Sequence, residues 1–154
     1  IKAILNETSL NGNNLHLEIT ESSVLENTES ITESLHNIKQ LGIGFSMDDF
    51  GTGYASLSSL HRLPIDTLKV DRTFIKNNER THKKKVEMIR TIIDMAHNLG
   101  MNVIAEGIES EELIPQLQEL NCESGQGFFF SPPIDNIAAT QMLAAKPQWS
   151  MTAH

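Results

Sequence analysis

The sequence contains a single cysteine, Cys122, among 154 residues. One cysteine cannot build an internal disulfide framework, and it fits a reducing compartment. No apolar run approaches the roughly 18 residues that a membrane-spanning helix needs. A cationic start followed by an apolar stretch is also missing, so no signal peptide is read. The six histidines are scattered and show no metal-ligand spacing. Net positive charge is absent: 20 acidic against 12 basic residues leave −8. That charge repels nucleic-acid backbones and argues against a nucleic-acid polymer as partner. A small anionic substrate is not excluded, because clustered carboxylates bind divalent cations and the cations bind phosphate. Where the acids sit therefore matters more than how many there are.

What is present is an ordinary globular balance, 39% hydrophobic and 21% charged, sized for one domain or part of one. The first residue is Ile1 rather than Met, which suggests a piece of something longer. The hydrophobic pattern alternates strands with helices. Leu15 to Ile19 reads as a strand. Ile31, Leu35, Ile38 and Leu41 recur at helical spacing, with Gly42 placed to end the helix. Ile43 to Met47 reads as a second strand running into Asp48-Asp49, and Thr67 to Val70 as a third. A helix is expected over Lys84 to Leu99, ended by Gly100, with Val86, Ile89, Ile93 and Ala96 on one stripe. Asn102 to Ala105 is the fourth expected strand. Ser110 is placed to start a helix with Glu111 and Glu112 in its first turn, where the helix dipole favours acids. Gly127 to Phe130 reads as a fifth strand, Asn136 to Ala145 as a last helix, and 146–154 as a loosely ordered tail.

Repeated strand-then-helix units predict parallel strands. Five units suit either an open α/β sheet or part of a (β/α)₈ barrel. No glycine-rich phosphate loop follows the first strand, which counts against a nucleotide-binding open sheet.

Polar residues recur at one position in each unit. Glu18 falls at the end of the first strand, Asp48 and Asp49 at the second, Lys69 at the third, Glu106 at the fourth and Gln126 at the edge of the fifth. Parallel α/β folds build function where the strands' C-terminal ends share a face. Like charges a few ångströms apart raise each other's pKa, so four acids on one rim call for a neutralising ion. Oxygen donors without His or Cys favour Mg²⁺ or Mn²⁺. Adjacent carboxylates can serve a pair of ions suited to in-line attack at phosphorus, and Lys69 could neutralise phosphate or orient water. One such acid alone is more often a solvated loop residue or helix cap, by about four to one. Only the recurrence shifts those odds.

The order of local motifs carries a more specific signal. The chain contains Leu17-Glu18-Ile19-Thr20-Glu21, then Asp48-Asp49-Phe50-Gly51-Thr52-Gly53-Tyr54-Ala55-Ser56-Leu57. Further on come Leu63-Pro64-Ile65-Asp66, Leu68-Lys69-Val70-Asp71-Arg72-Thr73-Phe74, Ala105-Glu106-Gly107-Ile108-Glu109 and Gly125-Gln126-Gly127-Phe128-Phe129-Phe130-Ser131-Pro132-Pro133. Together they resemble the C-terminal part of EAL domains, the cyclic di-GMP phosphodiesterase family, from about Leu15 to Pro133. The expected fold is then an incomplete (β/α)₈ barrel with about five C-terminal units, occupying residues 1–145. A full barrel takes about 250 residues. The expected Glu-Ala-Leu segment, with its metal-binding Glu and phosphate-binding Arg, and an Asn ligand do not occur in this sequence.

The resemblance implies metal-dependent hydrolysis of cyclic di-GMP to linear pGpG. Glu18, Asp48 and Asp49 would be metal ligands for Mg²⁺ or Mn²⁺. Lys69, Glu106 and Gln126 would be catalytic, with Lys69 at the attacking water or the phosphate and Glu106 a candidate base or second-metal partner. Glu21 would anchor the loop from Asp48 to Tyr54. The implied partners are cyclic di-GMP and a second copy, through the Asp48–Leu57 loop and the helix behind it. The implied location is the cytoplasm, with any membrane attachment through other domains. A catalytically inactive fragment that binds cyclic di-GMP or a protein is the alternative reading, and a non-functional remnant is a third.

Other features read as structural. The basic stretch Arg80 to Lys85 is expected to be a solvated loop and helix start. Phe128-Phe129-Phe130 is expected to be buried packing surface. Met88, Met95 and Met101 look like core filler and Cys122 like a small, largely buried side chain.

Overall fold

A computed structural model describes residues 1–25, 28–53, 57–75, 82–145 and 147. The strands are β1 (His16–Thr20), β2 (Gly44–Phe50), β3 (Thr67–Val70), β4 (Asn102–Glu106) and β5 (Ser124–Gln126). The helices are α1 (Lys2–Thr8), α2 (Glu21–Leu25), α3 (Thr28–Lys39), α4 (Leu57–Arg62), α5 (Arg72–Ile75), α6 (His82–Asn98), α7 (Leu113–Glu119) and α8 (Asn136–Ala145), with a 3-10 turn at Gly12–Asn14.

All five strands are parallel, and their spatial order equals their chain order, β1-β2-β3-β4-β5. A doubly wound sheet reverses its strand order at a switch point. No reversal occurs here, which settles the two architectures in favour of consecutive units of a (β/α)₈ barrel. Among the described residues β1 and β5 pair on one side only, so the barrel is incomplete.

Alternation along the strands sorts the side chains. Phe45 and Met47 on β2, Leu68 and Val70 on β3, and Val103 and Ala105 on β4 are almost fully buried among the helices. Helix α6 contributes Ile89, Ile92, Ile93 and Ala96 to that core, close to the stripe read from its periodicity. Burying each large aliphatic side chain is worth about 1.5–3 kcal/mol. The opposite face is polar and carries Glu18, Ser46, Thr67 and Lys69.

At the starts of the strands one device appears twice. Asp66, just before β3, pairs with Lys39 at the end of α3 and accepts the Phe45 N–H of β2 at 2.7 Å. Glu123, just before β5, lies 2.9 Å from His97 Nε2 at the end of α6 and accepts the Val103 N–H of β4 at 2.8 Å. Each acid ties a strand to its neighbour and to the helix that feeds that neighbour.

Several expectations are corrected. The fifth strand is Ser124–Gln126, and residues 127–130 form a turn. A Cβ at Gly127 would lie 2.0 Å from the Ile108 carbonyl oxygen, so the chain closes against Ile108 there, and Phe129 N–H donates to the same oxygen at 3.0 Å. Phe128 is 70% exposed, not buried. Its two neighbours are half-buried and meet edge to face at 5.2 Å. Met88 is exposed, while Met101 is buried as core filler. Helix α7 begins at Leu113 rather than Ser110, with no acid in its first turn. Pro115 needs no backbone donor in a first turn, which suits the later start. Helices α1, α4 and α5 were not read from the sequence. Residues 54–56, 80–81, 146 and 148–154 lie outside the described residues, and with them parts of the expected dimer loop, basic stretch and tail.

Candidate active site

The polar strand ends converge on Lys69. Its ammonium lies 2.9 Å from Glu18 Oε1 on β1, 2.9 Å from Asp48 Oδ1 on β2 and 2.7 Å from Glu106 Oε1 on β4. Lys69 is only 3% exposed. Burial alone would lower its pKa, but the bonds to Glu106, Glu18 and Asp48 outweigh that and raise it above the ordinary 10.5. Lys69 is therefore a fixed ammonium at neutral pH.

Asp48 and Asp49 are adjacent, and in a regular strand they would point to opposite faces. The β2–β3 register shifts between Met47 and Phe50, so Phe50 rather than Asp49 pairs with Val70. Asp49 is the extra residue of this bulge and has φ +56°, a left-handed conformation uncommon outside glycine. The bulge frees Asp49 from the apolar face. Carboxylate oxygens of Asp48, Asp49 and Glu106 then lie within 4.8 Å of one another.

This cluster fits a hard divalent cation. All its donors are carboxylate oxygens. Asp48 Oδ1 is buried, and although it lies 2.9 Å from Lys69 Nζ it has no partner of hydrogen-bond alignment. Glu18, on β1, reaches the same Lys69 ammonium with a half-exposed side chain, outside this three-residue group.

Gln126 is the register partner of Glu106 and ends β5. Both line a cleft of about 400 Å³ together with Asp49, Asp71, Arg72 and Phe128. Sequence reasoning did not assign Asp71 and Arg72 to the site. Their signal was available: they directly follow β3, at the C-terminal edge of the sheet.

Glu21 does not touch the cluster. It is 3% exposed, and its Oε2 accepts the N–H groups of Gly51 at 2.9 Å and Gly53 at 3.1 Å. These two amides belong to the segment that follows Asp49. Gly51 has φ +95°, and a Cβ there would meet the Phe74 ring at 2.5 Å, so only glycine allows this path.

With the geometry described, comparison with known proteins is informative. The chain is 41% identical to the cyclic di-GMP phosphodiesterase NbdA of Pseudomonas aeruginosa over 131 residues, 85% of this chain and 17% of that protein. The curated relatives it matches are much longer, and the chain spans between 15% and 23% of their lengths. Among solved structures, the EAL domain of Mycobacterium smegmatis DcpA superposes with a TM-score of 0.85 at 36% identity, covering 93% of this chain and 64% of that one. The manganese/cyclic di-GMP complex of Klebsiella pneumoniae BlrP1 gives 0.70 at 29% identity, covering 80% of this chain and 31% of that one. The EAL domain profile matches residues 1–133, and on these grounds the chain belongs to the EAL domain family.

Proposed function

We propose that this chain carries the metal-binding half of a site that hydrolyses cyclic di-GMP to linear pGpG. The observation that carries this reading is the convergence of Asp48, Asp49 and Glu106 within 4.8 Å, beside an ammonium that holds three of the four rim acids in register. Asp48, Asp49 and Glu106, with Glu18 at the same Lys69 ammonium, would hold Mg²⁺ or Mn²⁺. Such ions, when bound, polarise a phosphoryl oxygen and acidify water. Lys69 aligns the carboxylates and places positive charge next to the phosphate. In the reaction the oxygen of water bonds to phosphorus, the P–O3′ bond breaks, and a proton ends on the released 3′-hydroxyl. Lys69 stays charged, so accepting the water's proton falls to a carboxylate, and Glu106 would serve either as that base or as a second-metal partner. Glu21 anchors the segment after Asp49 and so positions the cluster without touching substrate. A homodimer through the Asp48–Leu57 loop and a cytoplasmic location belong to the same reading. No helix among the described residues is long and apolar enough to cross a membrane.

The test is incubation of the intact purified protein with cyclic di-GMP and Mg²⁺ or Mn²⁺, with products separated by chromatography. Formation of pGpG that stops on chelation supports the proposal. Tight binding without turnover would favour the binding-module reading, and neither binding nor turnover would refute both.

A further inference from the structure

Among the described residues, Arg72 is the one cation that lines the cleft beside the carboxylate cluster. It is exposed, stands at the start of α5, and enters none of the ion pairs formed by the described residues. Its neighbour Asp71 makes no ion pair with it among the described residues. Burial alone would raise the Asp71 carboxyl. Hydrogen bonds from Thr73 and the backbone outweigh this and hold it below its ordinary value, with the Arg72 charge contributing last.

The position of Arg72 is built into the backbone. Gly107 follows the cluster acid Glu106 and has φ +71°. A Cβ at Gly107 would come within 2.4 Å of the Arg72 Cβ. Only glycine at 107 lets the Arg72 stem lie against the end of β4, beside the cluster.

A cyclic dinucleotide carries two phosphodiesters. The carboxylate cluster, its cations and Lys69 serve the one that reacts. The second brings another negative charge into a cleft whose remaining charged walls include Asp71 and Glu109. An unpaired guanidinium there offers the forked donors that suit phosphate oxygens. We propose that Arg72 binds the phosphate that is not being cleaved, and so selects a two-phosphate cyclic substrate over a simple diester. This rests on the cyclic dinucleotide reading given above.

The test compares the intact protein with Arg72→Ala and Arg72→Lys on two substrates, cyclic di-GMP and the one-phosphate diester bis(p-nitrophenyl) phosphate. For Arg72→Ala the expected result is a KM and a calorimetric Kd for cyclic di-GMP raised roughly ten- to a hundredfold, the loss of one charge-assisted contact. Its hydrolysis of the simple diester should fall far less than its use of cyclic di-GMP, and Arg72→Lys should recover much of the affinity. Equal losses on both substrates, or no loss on either, would overturn the assignment while leaving the phosphodiesterase reading in place. If the unsubstituted protein neither binds nor cleaves cyclic di-GMP, the underlying reading fails and takes this inference with it. Unchanged thermal unfolding of the variants would show that the effect is not a folding defect.

Discussion

Lys69 Nζ and Glu106 Oε1 lie 2.7 Å apart at the ends of adjacent strands, and this ion pair sits inside a ring of acids held by one buried ammonium. Removing that ammonium leaves Glu18, Asp48 and Glu106 facing one another. Lys69→Met should cost about 2–4 kcal/mol of stability in urea unfolding, since breaking a buried charge pair strands its partners. Added Mg²⁺ should recover part of the loss, because the carboxylates then have another cation. A variant as stable as the parent, with no response to Mg²⁺, would show that the lysine does not hold the acids together.

Asp49 illustrates strain kept at a working position. At φ +56° an L side chain is disfavoured and glycine is not. Asp49→Gly should therefore raise stability by about 0.5–1 kcal/mol, while turnover of cyclic di-GMP falls roughly a hundredfold or more with the loss of a cluster carboxylate. Asp48→Asn, which relieves no strain, should lose turnover without gaining stability. Thermal unfolding and initial rates on the same samples separate the two effects.

Glu21 satisfies two amides that are 30 and 32 residues away in sequence. Glu21→Ala leaves both N–H groups without this acceptor; both glycines are exposed, so water can replace it, and the cost should be about 0.5–1.5 kcal/mol for each lost bond. Faster hydrogen exchange at Gly51 and Gly53 is the expected sign, with a fall in activity because the segment carrying Asp49 loosens. Glu21→Gln keeps an acceptor oxygen and should be milder in both respects.

The clamp at the strand starts should respond to acid. Burial would raise the Glu123 carboxyl, but the Val103 N–H and the His97 side chain outweigh it and hold it below its ordinary 4.5. A depressed carboxylate stabilises the fold above the unfolded-state pKa, and the gain is lost as pH falls through the folded one. Glu123 is partly exposed, so screening by solvent keeps the effect small. Stability curves of the parent and Glu123→Gln should differ near neutral pH and converge only once the pH has fallen past the ordinary 4.5 and through the lower folded value. For Lys69, whose pKa is raised, the sign reverses: its contribution is complete below 10.5 and fades only as pH climbs through the higher folded value. Neutral pH lies far from that window.

Much of this protein was legible locally. Strand and helix alternation, the glycine that follows α6, the placement of a polar or charged residue at each strand end and the aspartate loop are properties of short stretches. Periodicity and turn chemistry act over a few residues, so a reader of the chain can find them. The fifth strand misled because three consecutive phenylalanines favour strand locally, whereas the close approach of Gly127 to Ile108 is a contact between distant segments.

Relationships across the sheet were not legible in any one segment. Strand order distinguished a barrel segment from an open sheet, because local pattern is the same in both. The register shift after Met47 decided that Asp49 escapes the apolar face, since a shift exists only relative to β3. Lys69 became the centre of the site because strands on both sides deliver carboxylates to its Nζ. Arg72 entered the cleft because β4 leaves room for it at Gly107. Local pattern alone tells which chemical groups stand at the strand ends. Folding decided which of them meet, because their distances depend on how parallel neighbours register, and no single segment carries that information.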